Sequence, residues 1–249
     1  MNARFYAPDA HAPGDVISLP DDEAEHLSRV LRLKRGDPLV VFNGRGLAFE
    51  ATVYSTRKAG AEVLIGDPCA AAPEPRVAIT LVQSVLKGDK MDDVVRDAVM
   101  IGVAAIQPIV AIRSEVTQAS LARGRRRERW QRIAVSSAKQ CGRALVPVIL
   151  APEPFEAVDA FIDDGQLPGP ALMLTEPNAA ADTVALGDLD AGPPREASLL
   201  IGPEGGWTAQ EIAMASGRCR LVTLGARTIR GDAMALVAVS ALFAKWGEY

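Results

Sequence analysis

Hydrophobic positions along this chain follow two different rhythms. Over the first seventy residues they come in short strand-like runs, Pro38–Asn43, Leu47–Tyr54 and Ala61–Gly66. The turn sequences Asn43-Gly44-Arg45-Gly46 and Arg57-Lys58-Ala59-Gly60 separate them. One helix is predicted from Asp21 to about Leu33, with the acids Asp21, Asp22, Glu23 and Glu25 at the positive end of its dipole. Short strands with a single helix predict a small β-barrel. The stretch Asp67–Pro75 has three prolines and no periodicity, so it reads as a linker. The expected division is a first domain over 1–72 and a second over 73–249.

Beyond the linker, apolar runs alternate with helical patterns. Strands are predicted at Val77–Val82, Ala104–Val110, Val146–Leu150, Ala171–Thr175, Ser198–Ile201 and Arg220–Leu224. Helices are predicted at Asp89–Gly102, Arg123–Cys141 and Thr208–Ser216, and from Asp232 to Trp246. Thr208 and Glu211 have the spacing of a capping box. Alternation of this kind predicts an α/β domain with a parallel sheet.

Composition narrows the class. With 49% hydrophobic and 23% charged residues, the chain can build a sizeable core, which excludes intrinsic disorder. Its longest strongly apolar stretch, Ala233–Ala244, falls short of the roughly 20 residues that cross a bilayer. The opening Met1-Asn2-Ala3-Arg4-Phe5-Tyr6 has no apolar core of a secretion signal. Cys69, Cys141 and Cys219, with His11 and His26, are too scattered for a disulfide framework or a metal motif. No membrane partner, no metal and a cytoplasmic location are therefore expected. The net charge of −4 hides an asymmetry: residues 71–149 carry 13 Lys/Arg against 7 Asp/Glu, whereas residues 150–249 carry 6 against 14. The middle third is thus the part suited to a polyanion.

Two loops carry candidate chemistry. Leu199-Leu200-Ile201 runs into Gly202-Pro203-Glu204-Gly205-Gly206-Trp207 just ahead of the capped helix. Glycines after a parallel strand let backbone approach a ligand closely. Leu224-Gly225-Ala226-Arg227-Thr228-Ile229-Arg230 repeats the arrangement before the last helix, now with two arginines. Successive strand ends with such loops suggest one shared pocket. A third feature is Arg123–Arg132, with six arginines in ten residues. On a helix Arg125, Arg129 and Arg132 share one face, while Trp130, Ile133, Ala134, Ser137, Ala138 and Cys141 follow the buried spacing. Such a face is either simply solvated or binds phosphate.

Taken together, these motifs resemble the RsmE family of 16S rRNA uridine-N3 methyltransferases, in the SPOUT class. Further similarity lies in His26–Arg32 with Lys34-Arg35-Gly36-Asp37, in Leu86–Asp92, and in Gln140-Cys141-Gly142-Arg143 with Pro147. The resemblance spans nearly the whole chain. The sequence departs from the family pattern at Met100, Lys139, Asp232 and Met234.

The resemblance implies a SPOUT-like parallel sheet with a deep trefoil knot, preceded by a PUA-like β-barrel. It implies S-adenosylmethionine as cofactor, held by Leu174, Thr175 and Glu176, by Ile201, Gly202, Pro203, Gly205 and Gly206, and by Leu224, Gly225 and Ile229. The reaction would be methylation of N3 of a uridine in 16S rRNA of the small ribosomal subunit. Arg230, or else Arg227, would stabilise charge on the uracil carbonyls, and Glu204 or Asp232 would take the N3 proton. RNA would meet Arg29, Arg32, Lys34 and Arg35 on the barrel and Arg125, Arg129 and Arg132 on the helix. A homodimer formed through the final helix is also implied. Two alternatives share the fold: a catalytically weakened RNA-binding or ribosome-assembly protein, and a SPOUT methyltransferase with another RNA target.

Overall fold

A computed structural model of the chain describes residues 3–57, 60–177, 179–180, 182–189 and 192–249. It divides into two compact units. The first runs to Glu74 and takes in Val135–Val146, and the second comprises Pro75–Ala134 and Pro147–Tyr249. The expected division at 72/73 made no provision for the segment 135–146.

In the first unit, β1 (Arg4–Tyr6), β2 (Val16–Ser18), β3 (Pro38–Phe42), β4 (Ala48–Arg57) and β5 (Gly60–Pro68) form a mixed sheet in the order β1-β3-β4-β5-β2. Only β1 and β3 run parallel. Side chains alternate across each strand, so every second residue reaches the core. Leu39 and Val41 of β3, Phe49, Ala51 and Val53 of β4, and Ala61, Val63 and Ile65 of β5 are buried together. Register shifts at Phe49/Ala51 and Val53/Ser55 interrupt the β4–β5 ladder. Helix α1 (Asp21–Glu25) adds Ala24 to this core and passes into a π-helical turn over His26–Val30. Arg32, at φ 55, then turns the chain away, so the helix stops short of the expected Leu33. The expected turn Arg57–Gly60 has its centre, Lys58 and Ala59, outside the described residues.

The supposed linker is partly structured, because β5 continues through Pro68 and Ala72 bridges Arg143. Arg143 is buried and pairs with Glu74 at 2.5 Å. Lys139 reaches Glu23 at 2.7 Å and lies 4.7 Å from the centre of the Phe5 ring. With only 9% of its side chain exposed, Glu23 depends on that ammonium for its charge to be tolerated.

The second unit contains β6 (Ala78–Ser84), α2 (Lys90–Ile101), β7 (Ala105–Val110), α3 (Gln118–Arg123), α4 (Arg126–Cys141), β8 (Val148–Ile149), β9 (Glu153–Pro154), α5 (Val158–Asp163), β10 (Ala171–Leu174), β11 (Val184–Ala185), β12 (Glu196–Ile201), α6 (Ala209–Ala215), β13 (Arg220–Thr223) and α7 (Gly231–Lys245). The last part of α4 groups with the first unit. The sheet order is β11-β13-β10-β12-β6-β7-β8, with β9 also on β7, and its pairings are parallel. Strands β6, β10 and β12 are buried along nearly their whole length, as expected where helices cover both faces of a parallel sheet. Gly102 ends α2 at φ 111, and a Cβ there would come 2.5 Å from Pro75 Cγ. The predicted helix Arg123–Cys141 is two helices, because the chain is extended at Gly124 and Arg125 precedes α4. Among the described residues no helix is long and apolar enough to cross a membrane.

Removing the cation from the Glu23–Lys139 pair should destabilise the protein. Lys139→Met is expected to cost about 3 kcal/mol in urea denaturation, because it strands a buried carboxylate. Adding Glu23→Gln should restore most of that loss, since replacing both partners leaves no unpaired charge.

Candidate active site

The site follows from strand order. β10 lies between β12 and β13, pairing Met173 with Leu200 on one side and Leu174 with Val222 on the other. All three strands run the same way, so their carboxyl ends open side by side. The loops after Leu174, Ile201 and Thr223 therefore meet, the position where parallel sheets hold ligands. Between them is a cavity of about 360 Å³.

Leu174, Thr175 and Glu176 form one wall, Ile201, Gly202, Pro203, Glu204 and Gly206 a second, and Leu224, Arg227 and Ile229–Asp232 a third. The glycines are there for close approach. Gly206 sits at φ +66, and a Cβ on it would come 2.9 Å from Glu176 Oε1. A Cβ on Gly202 would press on the Trp207 indole at 3.0 Å. That indole is a pillar: its Nε1 donates to the Leu174 carbonyl at 2.7 Å, tying the second wall to the first. Trp207 packs on Phe155 from behind, and the capping box Thr208–Glu211 starts α6 as predicted.

Two ion pairs sit at the cavity, Arg230 with Asp232 and Lys90 with Glu204. Arg230 holds Asp232 through two bonds, Nε to Oδ1 at 3.1 Å and a terminal nitrogen to Oδ2 at 2.6 Å. The hydrogen bond from Arg230 pulls Asp232 below the usual carboxylate range and raises the arginine in turn. Glu204 accepts from Lys90 Nζ at 2.8 Å and from the Lys87 amide at 3.3 Å. Burial works to raise Glu204, but the Lys90 bond and backbone amides outweigh it and its pKa falls. Both carboxylates are thus ionised and held by cations.

Not every expected residue faces this space. Gly205 is turned outward, where a Cβ would meet Arg113 Cβ at 3.0 Å, and Gly225 lines a neighbouring shallow pocket with Leu224 and Lys245. Conversely, Lys90, Trp207, Thr223, Thr228 and Met234 line the cavity without having been singled out for it. Lys90 lies in a motif that carried the family resemblance, and that was its available signal.

Among the departures from the family pattern, Met100 is exposed on α2 and Lys139 belongs to the Glu23 pair. Asp232 keeps a carboxylate on Arg230, and Met234 adds an apolar surface to the cavity. None of them dismantles a wall.

The other arginines lie elsewhere. Arg125, Arg129 and Arg132 are exposed, with Arg129 bridging Asp89 at 3.2 Å and also Asp92. Trp130, Ala134, Ser137 and Ala138 of α4 are buried as their spacing predicted, whereas Ile133 and Cys141, expected with them, are half-buried. The side chain of Arg123 lies outside the described residues. On the first unit, Arg29, Arg32, Lys34 and Arg35 are all exposed. Arg29 pairs with Glu25 at 2.6 Å, and Arg35 lies 5.7 Å from the centre of the Tyr54 ring.

Comparison with known proteins gives this arrangement its class. Residues 73–243 match the family model of the RNA methyltransferase domain, and residues 19–66 match that of the RNA methyltransferase PUA domain, so the chain is an RNA methyltransferase by family. A ribosomal RNA small subunit methyltransferase E from Neisseria gonorrhoeae, solved bound to S-adenosyl methionine, is 33% identical with a TM-score of 0.86, covering 99% of this chain and 98% of that one. A Legionella pneumophila methyltransferase, solved with bound SAM, is 29% identical with a TM-score of 0.86 and 98% coverage of both chains. The methyltransferase E of Synechocystis is 27% identical over 90% of this chain and 72% of its own length. The chain belongs to the ribosomal RNA small subunit methyltransferase E family.

Proposed function

We propose that the chain binds S-adenosylmethionine in the three-loop cavity and methylates N3 of a uridine in 16S rRNA of the small ribosomal subunit. The observation that carries this reading is the convergence of three adjacent strand ends on a glycine-walled cavity with Arg230 at its edge. The residues fit the cofactor. A side chain on Gly206 would run into Glu176, another wall residue, so glycine keeps these walls in place, while Leu174, Ile201, Leu224 and Ile229 offer apolar surface to an adenosine. Glu176, Glu204 and Asp232 suit a ligand that carries positive charge. Gly205 and Gly225 then serve the turns rather than the contact surface. The knotted threading that the family resemblance implies belongs to this reading.

When bound, the cofactor supplies an electrophilic methyl group. The chain's own task is to make N3 of uracil nucleophilic, which requires loss of a weakly acidic proton. Arg230 stabilises the negative charge that moves onto the flanking carbonyl oxygens, and Asp232 fixes its guanidinium in place beforehand, so little reorganisation is needed. Glu204 and Asp232 are the carboxylates at hand for the proton. Because both have lowered pKa values, each accepts it weakly, so acidification of N3 by the neighbouring cations matters more than the strength of the base.

Division of labour follows the two domains, 1–72 and 73–249. Arg29, Arg32, Lys34 and Arg35 on the first, and Arg125, Arg129 and Arg132 on the second, grip phosphates without reading bases. Leu236 and Val237 of α7, 40% and 39% exposed, and Met100 of α2, 38% exposed, leave apolar surface on two helices that pack together, which supports a homodimer through the final helix. A cytoplasmic location belongs to the same reading, since the proposed substrate is ribosomal RNA.

Calorimetry with S-adenosylmethionine tests the reading directly, and no binding by the wild-type chain would reject it. Arg230→Ala should retain most of that binding while turnover on small ribosomal subunits falls roughly 10²–10³-fold. Near wild-type turnover would move the role to Arg227. Replacing Arg125, Arg129 and Arg132 together by Ala should weaken RNA binding and flatten its dependence on salt. An unchanged salt slope would make that face merely solvated. Sedimentation at micromolar concentration should show a dimer, and a monomer would exclude the α7 interface.

A further inference from the structure

The connector between β7 and α3 belongs to none of the motifs discussed so far, yet its polar contacts converge on the glycine loop after β12. It folds back on itself at Ala111–Ser114, where the Ala111 amide donates to Ser114 Oγ and the Ser114 amide to the Ala111 carbonyl, both at 3.0 Å. This turn presents Arg113. One terminal nitrogen of Arg113 donates to two main-chain carbonyls, Gly205 at 3.0 Å and Trp207 at 3.2 Å. The preceding amide, Ile112, donates to Glu211 Oε1 at 2.8 Å, and the other oxygen of Glu211 accepts from the Thr208 amide at 2.7 Å. Glu115 pairs with Lys87 at 2.5 Å, and the Lys87 amide is the one that reaches Glu204.

The loop is therefore held from two sides. On the inside, Trp207 hangs from the Leu174 carbonyl and Gly202 fits against its indole. On the outside, Arg113 spans the carbonyls that flank Gly206, a residue of the cavity wall on which a Cβ would come 2.9 Å from Glu176 Oε1. Gly205 lacks a side chain because Arg113 Cβ is already where one would go. Arg113 is not among the residues lining the cavity. Without its charge the two carbonyls would turn to water, and the Gly205–Gly206 peptide would keep its turn bond, from the Gly206 amide to the Pro203 carbonyl at 2.9 Å, but lose its tie to the connector. A ligand would then have to order the loop as it binds, and its apparent affinity would fall by the fraction of time the loop is correctly placed.

We propose that Arg113 is a positioning residue for the cofactor: it sets S-adenosylmethionine affinity by bridging the Gly205 and Trp207 carbonyls, without touching the ligand. This rests on the reading that the cavity takes S-adenosylmethionine. The test is calorimetry and steady-state kinetics on the full chain with Arg113→Ala, Arg113→Lys and Arg113→Gln. Arg113→Ala should raise the cofactor Kd and KM at least tenfold, leave kcat at saturating cofactor near wild type, and leave thermal unfolding without cofactor little changed. Arg113→Lys should recover part of the affinity, because one ammonium can serve both carbonyls as the single guanidinium nitrogen does. Should Arg113→Ala fail to fold, the Lys and Gln variants decide, with lysine expected to bind better than glutamine. Wild-type-like cofactor affinity in folded Arg113→Ala or Arg113→Gln overturns the proposal, as does a loss confined to kcat. Absence of binding in the wild-type chain is a different failure, that of the cavity reading itself.

Discussion

Everything at the site depends on β10 pairing with both β12 and β13. Parallel strands in register end at one level, so the chain need only place the right residues after each strand for three loops to share a cavity. The pairings of Met173 with Leu200 and of Leu174 with Val222 set that level. Trp207 then sets the spacing between two of the loops through one buried hydrogen bond to Leu174. A shift of β10 along its neighbours would move the Leu174 carbonyl away from the indole and separate the walls, even with every loop residue unchanged.

Within that frame the charged groups are arranged as holders and held. Asp232 occupies two nitrogens of Arg230, and Glu204 anchors Lys90 where α2 begins. The same economy recurs outside the cavity. The carboxylate of Glu211 caps α6 with one oxygen and takes the Ile112 amide with the other, so a single side chain ties a helix start to a loop from another part of the sheet. Geometry at the cavity is thus fixed by short polar links between segments that are remote in sequence.

That remoteness decides what could be read in the sequence. Strand positions, the capping box at Thr208 and the two glycine-bearing loops were legible, because each rests on local pattern: apolar runs, a hydroxyl three residues before a carboxylate, glycines after a strand. The grouping of 135–146 with the first unit was not legible, since it rests on pairings such as Glu74 with Arg143, 69 residues apart. Nor was the outward aim of Gly205. Two adjacent glycines look alike in sequence, but one faces Glu176 and the other Arg113. The arginine helix was legible in its buried face but not in its break, where Gly124 leaves Arg125 ahead of α4. Arg113 sat in no motif at all, and its role comes from two carbonyls more than ninety residues away.

The pairing at the cavity has one more consequence. Its lining contains three cations, Lys90, Arg227 and Arg230, and three carboxylates, Glu176, Glu204 and Asp232. A mouth balanced in this way projects little field beyond its own rim, so it cannot draw a polyanion from a distance. On the proposed reading, the long-range pull comes from exposed cations outside the cavity, among them the arginines ahead of and along α4, where positive charge outnumbers negative. Capture and conversion are thereby assigned to different charges. Ionic strength, which screens over about 10 Å at 0.1 M, would on that reading govern how often RNA arrives and leave the contact-range electrostatics proposed to act on the uracil ring nearly untouched.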